Sequence, residues 1–206
     1  MNVDTVPVGE IQVNCHVLWD QPRQAVVVDP GAEPEKIDAF LTERRLQVAA
    51  YMLTHGHVDH IGALAELHRL RPAPIGLHEK DLSWAFGEIN QLPPFYGVPS
   101  RPPVIERMLE DGQHWEDGGM TYRCLATPGH TPGCLCFYFP ESGILLSGDT
   151  LFAGSVGRTD LPGGDSRTLQ QSLQKIAALP DDVTVYPGHG PATTLGQEKA
   201  TNYFMR

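Results

Sequence analysis

No stretch of this chain is apolar for long enough to cross a membrane as a helix, which takes about 20 residues. The amino-terminal run MNVDTVPVGEIQVNCHVLW carries acidic residues early and no unbroken apolar core, so a secretory leader is not expected either. Positive charge is scarce: 15 Lys and Arg stand against 25 Asp and Glu, a formal net charge of -10, and no basic run exceeds Arg44-Arg45. A nucleic-acid groove needs clustered cations to displace counterions from phosphates, so neither nucleic acid nor membrane is an expected partner. Cysteine is also sparse. Cys15, Cys124, Cys134 and Cys136 all sit in apolar runs, and their spacing is neither a zinc knuckle nor a redox pair, so buried reduced thiols are expected. These absences together make the cytoplasm the expected location. No linker, low-complexity segment or fixed-period repeat divides the chain, and residues 1–206 are expected to fold as one domain. A domain of this size hides about 70% of its unfolded surface, so any metal is free to serve chemistry rather than folding.

Turn formers, by contrast, are plentiful: 21 Gly and 18 Pro punctuate short apolar runs. Val6–Leu18 and Ala25–Val28 read as strands joined by a turn at Asp20-Gln21-Pro22-Arg23. Glu33–Leu46 places Ile37, Phe40 and Leu41 at helical spacing, with Pro34 in the first turn, where proline is tolerated. Val48–Leu53 reads as a strand, Ile61–Leu70 as a helix, Ile75–Leu77 as a strand and His78–Phe86 as a short helix. Residues Gly87–Pro103 are rich in proline and aromatics and read as a shaped surface loop. Further strands are expected over Val104–Leu109, Thr121–Ala126, Leu135–Phe139, Ile144–Leu146 and Val183–Tyr186. A helix over Thr168–Leu179 follows the capping types Asp165 and Ser166. Two strand-rich halves, each closed by helices, predict an α/β protein with two sheets face to face and helices outside, a four-layer αββα sandwich.

The most informative segment is His55-Gly56-His57-Val58-Asp59-His60, which packs four metal-ligating side chains into six residues. Three more follow apolar runs and sit beside glycine, in Pro128-Gly129-His130, Ser147-Gly148-Asp149 and Pro187-Gly188-His189. Residues two apart in an extended segment share a side, so His55 and His57 can reach one ion. Asp59 and His60 come where the chain turns into a helix and should aim at a neighbouring point. Nitrogen and carboxylate donors without cysteine suit two divalent ions sharing a carboxylate, zinc first, with Fe²⁺ or Mn²⁺ also acceptable. His16, His68, His78 and His114 stand alone and read as ordinary core or surface residues.

On these motifs, together with Asn14-Cys15, Asp29-Pro30-Gly31, Thr54–His60, Pro128–Gly133, Gly157–Asp160 and Pro187–Gly190, the chain resembles the metallo-β-lactamase-fold hydrolases over nearly its whole length. It is most similar to their small, single-domain glyoxalase II-like (hydroxyacylglutathione hydrolase-like) members. The resemblance implies one ion on His55, His57 and His130, a second on Asp59, His60 and His189, and Asp149 between them. Asp59 and Asp149 are then the carboxylates closest to the catalysis, since a water shared by two ions has its pKa lowered to about 7. A small-molecule thioester is the expected substrate, because its leaving thiolate, of pKa about 8.5, departs without a strong acid. The helical domain that carries much of the glutathione surface in larger relatives has no expected counterpart here. Arg158 stands where the family often has a cation near the thiol conjugate, but Asp160 replaces the tyrosine expected two residues on. Arg158-Thr159-Asp160 therefore also reads as a loop held by an internal ion pair. Arg158, Phe95 and Tyr96 are the candidate substrate contacts, with Trp84 and Phe86 as further candidates for the cleft wall. Persulfide dioxygenases share Gly157-Arg158-Thr159-Asp160 and hold one iron at the positions of His55, His130 and Asp149, so an oxidoreductase is the alternative. A lactonase on the same scaffold is another. The intact set Asp59, His60 and His189, followed by Gly190-Pro191, favours the hydrolase.

Overall fold

The structure, a computed structural model, describes residues 1–21 and 23–206. The expected turn over residues 20–23 includes Pro22, which lies outside the described residues. Among the described residues the strands form two six-stranded sheets and a two-stranded ribbon.

The first sheet runs in sequence order. Strands β1 (Asn2–Val8) and β2 (Val13–Trp19) replace the single strand expected over Val6–Leu18, because the chain reverses between them at Gly9, whose φ is +73°. β3 (Gln24–Val28) lies antiparallel to β2 and parallel to β4 (Gln47–Met52), and α1 (Pro34–Glu43) makes the crossover with Pro34 in its first turn. The helix expected over Ile61–Leu70 is broken at Gly62-Ala63 into α2 (Val58–Ile61) and α3 (Leu64–Leu70). There the Ala63 amide donates to Pro30 O at 3.0 Å, outside the helix, and the Cβ of a larger residue at Gly62 would press on the Gly31 carbonyl. β5 (Ile75–Leu77), the single turn α4 (Glu79–Leu82) and β6 (Arg107–Met108) complete the layer. The strand expected over Val104–Leu109 shrinks to β6, and the helix expected over His78–Phe86 to α4.

The second sheet has the order β14-β13-β10-β9-β8-β7. Its strands are β7 (His114–Asp117), β8 (Met120–Ala126), β9 (Leu135–Phe139), β10 (Ile144–Gly148), β13 (Thr184–Pro187) and β14 (Thr193–Thr194). Between β10 and β13 come the ribbon strands β11 (Leu151–Phe152) and β12 (Ser155–Val156), then α5 (Ser166–Ala177). The side chain of Asp165 caps α5, accepting from the Thr168 amide at 2.6 Å. α6 (Leu195–Thr201) closes the fold, with Thr194 as its cap. β7 and α6 had no sequence signal, since the polar His-Trp-Glu-Asp run and the short Leu-Gly-Gln-Glu turn lack clear periodicity.

The two-residue period of the strands divides the core into three slabs. On β3, Ala25 and Val27 face α1 and α3, against Ile37, Leu41, Leu64 and Leu67. Val26 and Val28 point the other way, with Met52, and meet Tyr122, Cys124, Phe137 and Leu146 of the second sheet. On that sheet's far face Leu125, Cys136 and Leu145 pack against Leu169, Leu173 and Ile176 of α5 and Leu195 of α6. Helix, sheet, sheet and helix stack in that order, as expected. All four cysteines are buried and unpaired, as expected. No helix of the described residues is long and apolar enough to cross a membrane.

Phe137 lies at 0% exposure between the sheets, edge-on to Tyr122 at 6.1 Å. Phe137→Ala should cost about 3–5 kcal/mol, read as a drop in urea midpoint at unchanged slope. A loss below about 1 kcal/mol, a surface-type value, would contradict its place in the middle slab.

Candidate metal centre

β9 is antiparallel to both β8 and β10, and β10 is parallel to β13, so β8, β10 and β13 all present their carboxyl ends at one edge of the second sheet. His130, Asp149 and His189 follow those three ends. His55 and His57 follow β4 of the first sheet, His57 in extended conformation as the cap of α2, and Asp59 and His60 occupy α2 itself. The seven side chains named from the sequence thus meet where the two sheets open. Glycine permits the closeness: a Cβ at Gly188 would run into Asp149 Oδ1 and lie 2.7 Å from His60 Cε1.

Two triads of ligand atoms form, His55/His57/His130 and Asp59/His60/His189. His57 Nδ1 lies 3.1 Å from His55 Nε2 and 2.8 Å from His130 Nε2. The outer nitrogens fix the tautomers. Arg158 O can only accept, so His130 Nδ1, 2.7 Å away, carries a proton. Thr54 Oγ1 gives its proton to Asp29 Oδ2 at 2.6 Å and must accept from His55 Nδ1 at 3.0 Å. The Nε2 atoms of His55 and His130 therefore both direct lone pairs at His57 Nδ1, which has at most one proton to share between them. A cation satisfies all three.

In the second triad Asp59 Oδ2 lies 3.4 Å from His60 Nε2 and 3.3 Å from His189 Nε2. Asp149 reaches both triads, with Oδ1 3.4 Å from His60 Nε2 and Oδ2 3.5 Å from His130 Nε2. His60 Nε2 and Asp149 Oδ1 are buried without a hydrogen-bond partner, and such orphaned atoms are costly unless an ion or water meets them. The residues fit a divalent metal. The protonation states agree with this. Burial holds the His55 imidazole well below the usual histidine range, and burial with neighbouring His130 holds His57 down to about 4. Burial also works against charge on His60 and Asp149, yet Asp59 and Asp149 raise His60 well above its usual range, and His60, His130 and His189 pull Asp149 down.

A ring of outer contacts orients the ligands. Asp29 Oδ2 accepts from His60 Nδ1 at 3.0 Å, and Asp29 Oδ1 from the Thr54 amide at 2.8 Å. Asp29, His55 and His60 also lie close enough to be counted as a donor cluster, but the Asp29 oxygens are already engaged, and it acts as a brace. Buried Asp81 ties the two metal loops together, accepting from Gly56 N, Thr131 Oγ1 and Gly133 N. Asn90 accepts from Val58 N at 2.9 Å and donates to Gly56 O at 2.7 Å. Asn14 donates through its side chain to Pro187 O and Gly190 O, and His16 contacts Pro187 O at 3.0 Å, bracing the loop of His189. Sequence reasoning did not single out Asp81 or Asn90, which sit in no motif, and Asp29 was visible only within Asp-Pro-Gly.

A cavity of about 670 Å³ opens over the triads and is bordered by His57, Asp59, His130, Asp149 and His189. Trp84 and Arg158 line it. Phe95 and Tyr96 are not among the lining residues: Phe95 is 53% exposed, and Tyr96 turns its hydroxyl against Gly9. Phe86 packs into the first core slab. The loop over 87–103 contributes Ile89 and Leu92 instead, because Asn90 pins that segment to the metal loop. Arg158 and Asp160 form the bidentate ion pair, with both contacts at 2.7 Å.

Residues 8–189 match the family model described as Metallo-beta-lactamase superfamily. The chain is 37% identical to hydroxyacylglutathione hydrolase GloC of Haemophilus influenzae, covering 100% of this chain and 98% of that protein. Its fold is similar to the crystal structure of the BLEG-1 B3 metallo-beta-lactamase, with TM-score 0.92, 36% identity and 99% of each chain covered. It is also similar to TTHA1623, solved in a di-iron-bound form, with TM-score 0.84, 39% identity and 98% and 100% coverage.

Asp29→Ala should lower metal affinity roughly 10- to 100-fold, measured by metal analysis after equilibration against a chelator-buffered zinc series; unchanged affinity would remove Asp29 from the support of His60. Because Asp59 and Asp149 raise His60, protons compete with the cation there, and metal affinity should fall as pH drops through the raised value. Calorimetry in buffers of different ionisation enthalpy should record net proton release on metal binding at neutral pH, since His60 and His189 are both raised; no buffer dependence would contradict this.

Proposed function

The chain belongs to the metallo-beta-lactamase superfamily of metallo-hydrolases, and from that premise we propose that it is a dinuclear, glyoxalase II-like thioesterase acting on a small thiol ester. The observation that carries the reading is Asp149, whose two oxygens reach toward His60 of one triad and His130 of the other. The likeness to a hydroxyacylglutathione hydrolase supports the thioester class.

In this reading His55, His57 and His130 would hold one ion, Asp59, His60 and His189 a second, and Asp149 would contribute to both. Nitrogen and oxygen donors accept zinc, iron or manganese, with zinc our assignment. A bound pair of divalent ions supplies a water acidified to a pKa of about 7 and positive charge for the developing oxyanion. Asp59 and Asp149, at the cavity floor, would orient that water, and their lowered proton affinity leaves its proton to solvent. Asp29, Asp81 and Asn90 keep the ligand loops from moving as charge shifts. The water oxygen bonds to the acyl carbon, and the carbon–sulfur bond breaks with its electron pair on sulfur. The products are a carboxylate, a thiol and one proton. The thiolate leaves without a dedicated general acid, being a far weaker base than an amide or alkoxide. The partnerless Nε2 of His60 favours this over a mononuclear oxygenase, which has no use for the second triad.

Protein loaded with zinc, and separately with iron, should release one thiol per acid from S-lactoylglutathione and simple acyl thioesters, and lose this on chelation. His57→Ala should cost more in kcat/KM than the roughly 10- to 100-fold typical of outer contacts. One iron per chain with oxygen uptake on glutathione persulfide, and no thioester turnover, would replace the hydrolase by the oxidoreductase.

A further inference from the structure

Three of the five histidines in the triads are aimed by a bond to the outer ring nitrogen: His55 Nδ1 to Thr54, His60 Nδ1 to Asp29 and His130 Nδ1 to the Arg158 carbonyl. Among the described residues His57 and His189 have no such bond, and His57 makes both of its ring contacts through Nδ1. These two are aimed through the backbone instead. Asn14 holds the His189 loop at Pro187 O and Gly190 O. Asn90, only 4% exposed, does the same for His57: its Oδ1 accepts from Val58 N at 2.9 Å and its Nδ2 donates to Gly56 O at 2.7 Å, so one side chain grips both peptides that flank the ligand. Nδ2 also donates to Ala85 O, next to Trp84, whose ring lies 5.5 Å from that of His57.

Asn90 is equally the peg of the segment it comes from. Among the described residues, 87–103 is hydrogen-bonded to the rest of the chain through Gly87 N, which donates to Trp84 O, and otherwise through the Asn90 side chain alone. Further along, the Tyr96 hydroxyl lies against Gly9 without a partner. On either side of Asn90, Ile89 and Leu92 reach the cavity, 63% and 37% exposed. Apolar side chains left in water at a concave site mark ligand contact rather than packing. A ligand that covers them orders this segment, and the order passes through the bonds of Asn90 to the two peptides that set where the His57 ring points. An ordering cost met by one partner is not met again by the other, which makes the two bindings mutually favourable.

We infer that Asn90 is a positioning residue that aims His57 and couples the cavity's rim to the metal centre, so that a ligand against Ile89 and Leu92 and the cation on His57 strengthen each other's binding. This coupling rests on the proposed metal centre and thioester cleft and goes beyond them. Asn90 itself touches no reacting atom.

The test follows zinc binding to the full chain in a chelator-buffered series, with and without saturating S-hexylglutathione, an uncleavable thioether. In the unaltered protein the thioether should raise zinc affinity about fivefold or more, and zinc should raise thioether affinity by the same factor. Asn90→Ala should weaken the zinc step that His57→Ala removes, roughly 10- to 100-fold, leave the other step in place and abolish the effect of the thioether. Asn90→Asp, which keeps the acceptor for Val58 N and loses both donated bonds, should act in the same direction, and decides the matter where the alanine variant does not fold. A merely structural role would weaken both zinc steps alike and leave the coupling intact. Zinc steps that shift together, a thioether without effect on zinc in the unaltered protein, or a coupling that survives in the variants would overturn the inference and leave the thioesterase reading standing. Coupling without turnover of any thioester would overturn the thioesterase reading alone, and neither thioether binding nor thioester turnover would overturn both.

Discussion

The structure depends on one electrostatic problem: more lone pairs converge at the mouth of the sandwich than protons can satisfy. Arg158 O and Thr54 Oγ1 take the outer protons of His130 and His55, which turns both inner nitrogens into acceptors aimed at His57 Nδ1. Beside them two carboxylates share a small volume with His60 and His189. Burial makes each unmet atom costly. Such a cluster is tolerated where a multivalent cation resolves it, and the stable sandwich around it supplies the rigidity that holds the donors in place.

That rigidity comes from the fold's two sheets having different tasks. The second sheet delivers three ligands from the carboxyl ends of β8, β10 and β13, while the first delivers four from one loop after β4. Residues on different sheets stay in register only if the loops are tied across the gap. Asp81 does this between residues 56 and 133, Asn14 between β2 and residues 187–190, and Asn90 between the 87–103 loop and α2. Each tie is a buried polar group with its bonds made, so it adds specificity of geometry more than net stability.

The converging donors and the layering were legible because both write themselves in local pattern. Strand alternation in Ala25–Val28 names two opposite faces, and dense histidines have few other uses. The ties were not legible, because Asp81 and Asn90 act at sequence separations of 25 to 52 residues and look like any surface acid or amide. Element ends moved for the same reason: the helix is interrupted at Gly62-Ala63, where the Ala63 amide bonds to Pro30 O, a fact of tertiary contact. Phe95 and Tyr96 were expected at the cleft on aromatic character alone. The segment anchored by Asn90 places Ile89 and Leu92 at the cavity's rim instead.

The cleft finally separates two requirements that one surface cannot meet. Its floor must be polar enough to hold cations and an attacking water, whereas its walls must recognise whatever the floor is to cut. Charged walls would compete with the floor for the metal or for a substrate carboxylate. Apolar walls do not compete, and they lower the local dielectric, which strengthens every charge interaction at the floor. Arg158 is the one cationic Lys or Arg side chain among the described lining residues, and its pairing with Asp160 draws part of its charge away from the floor.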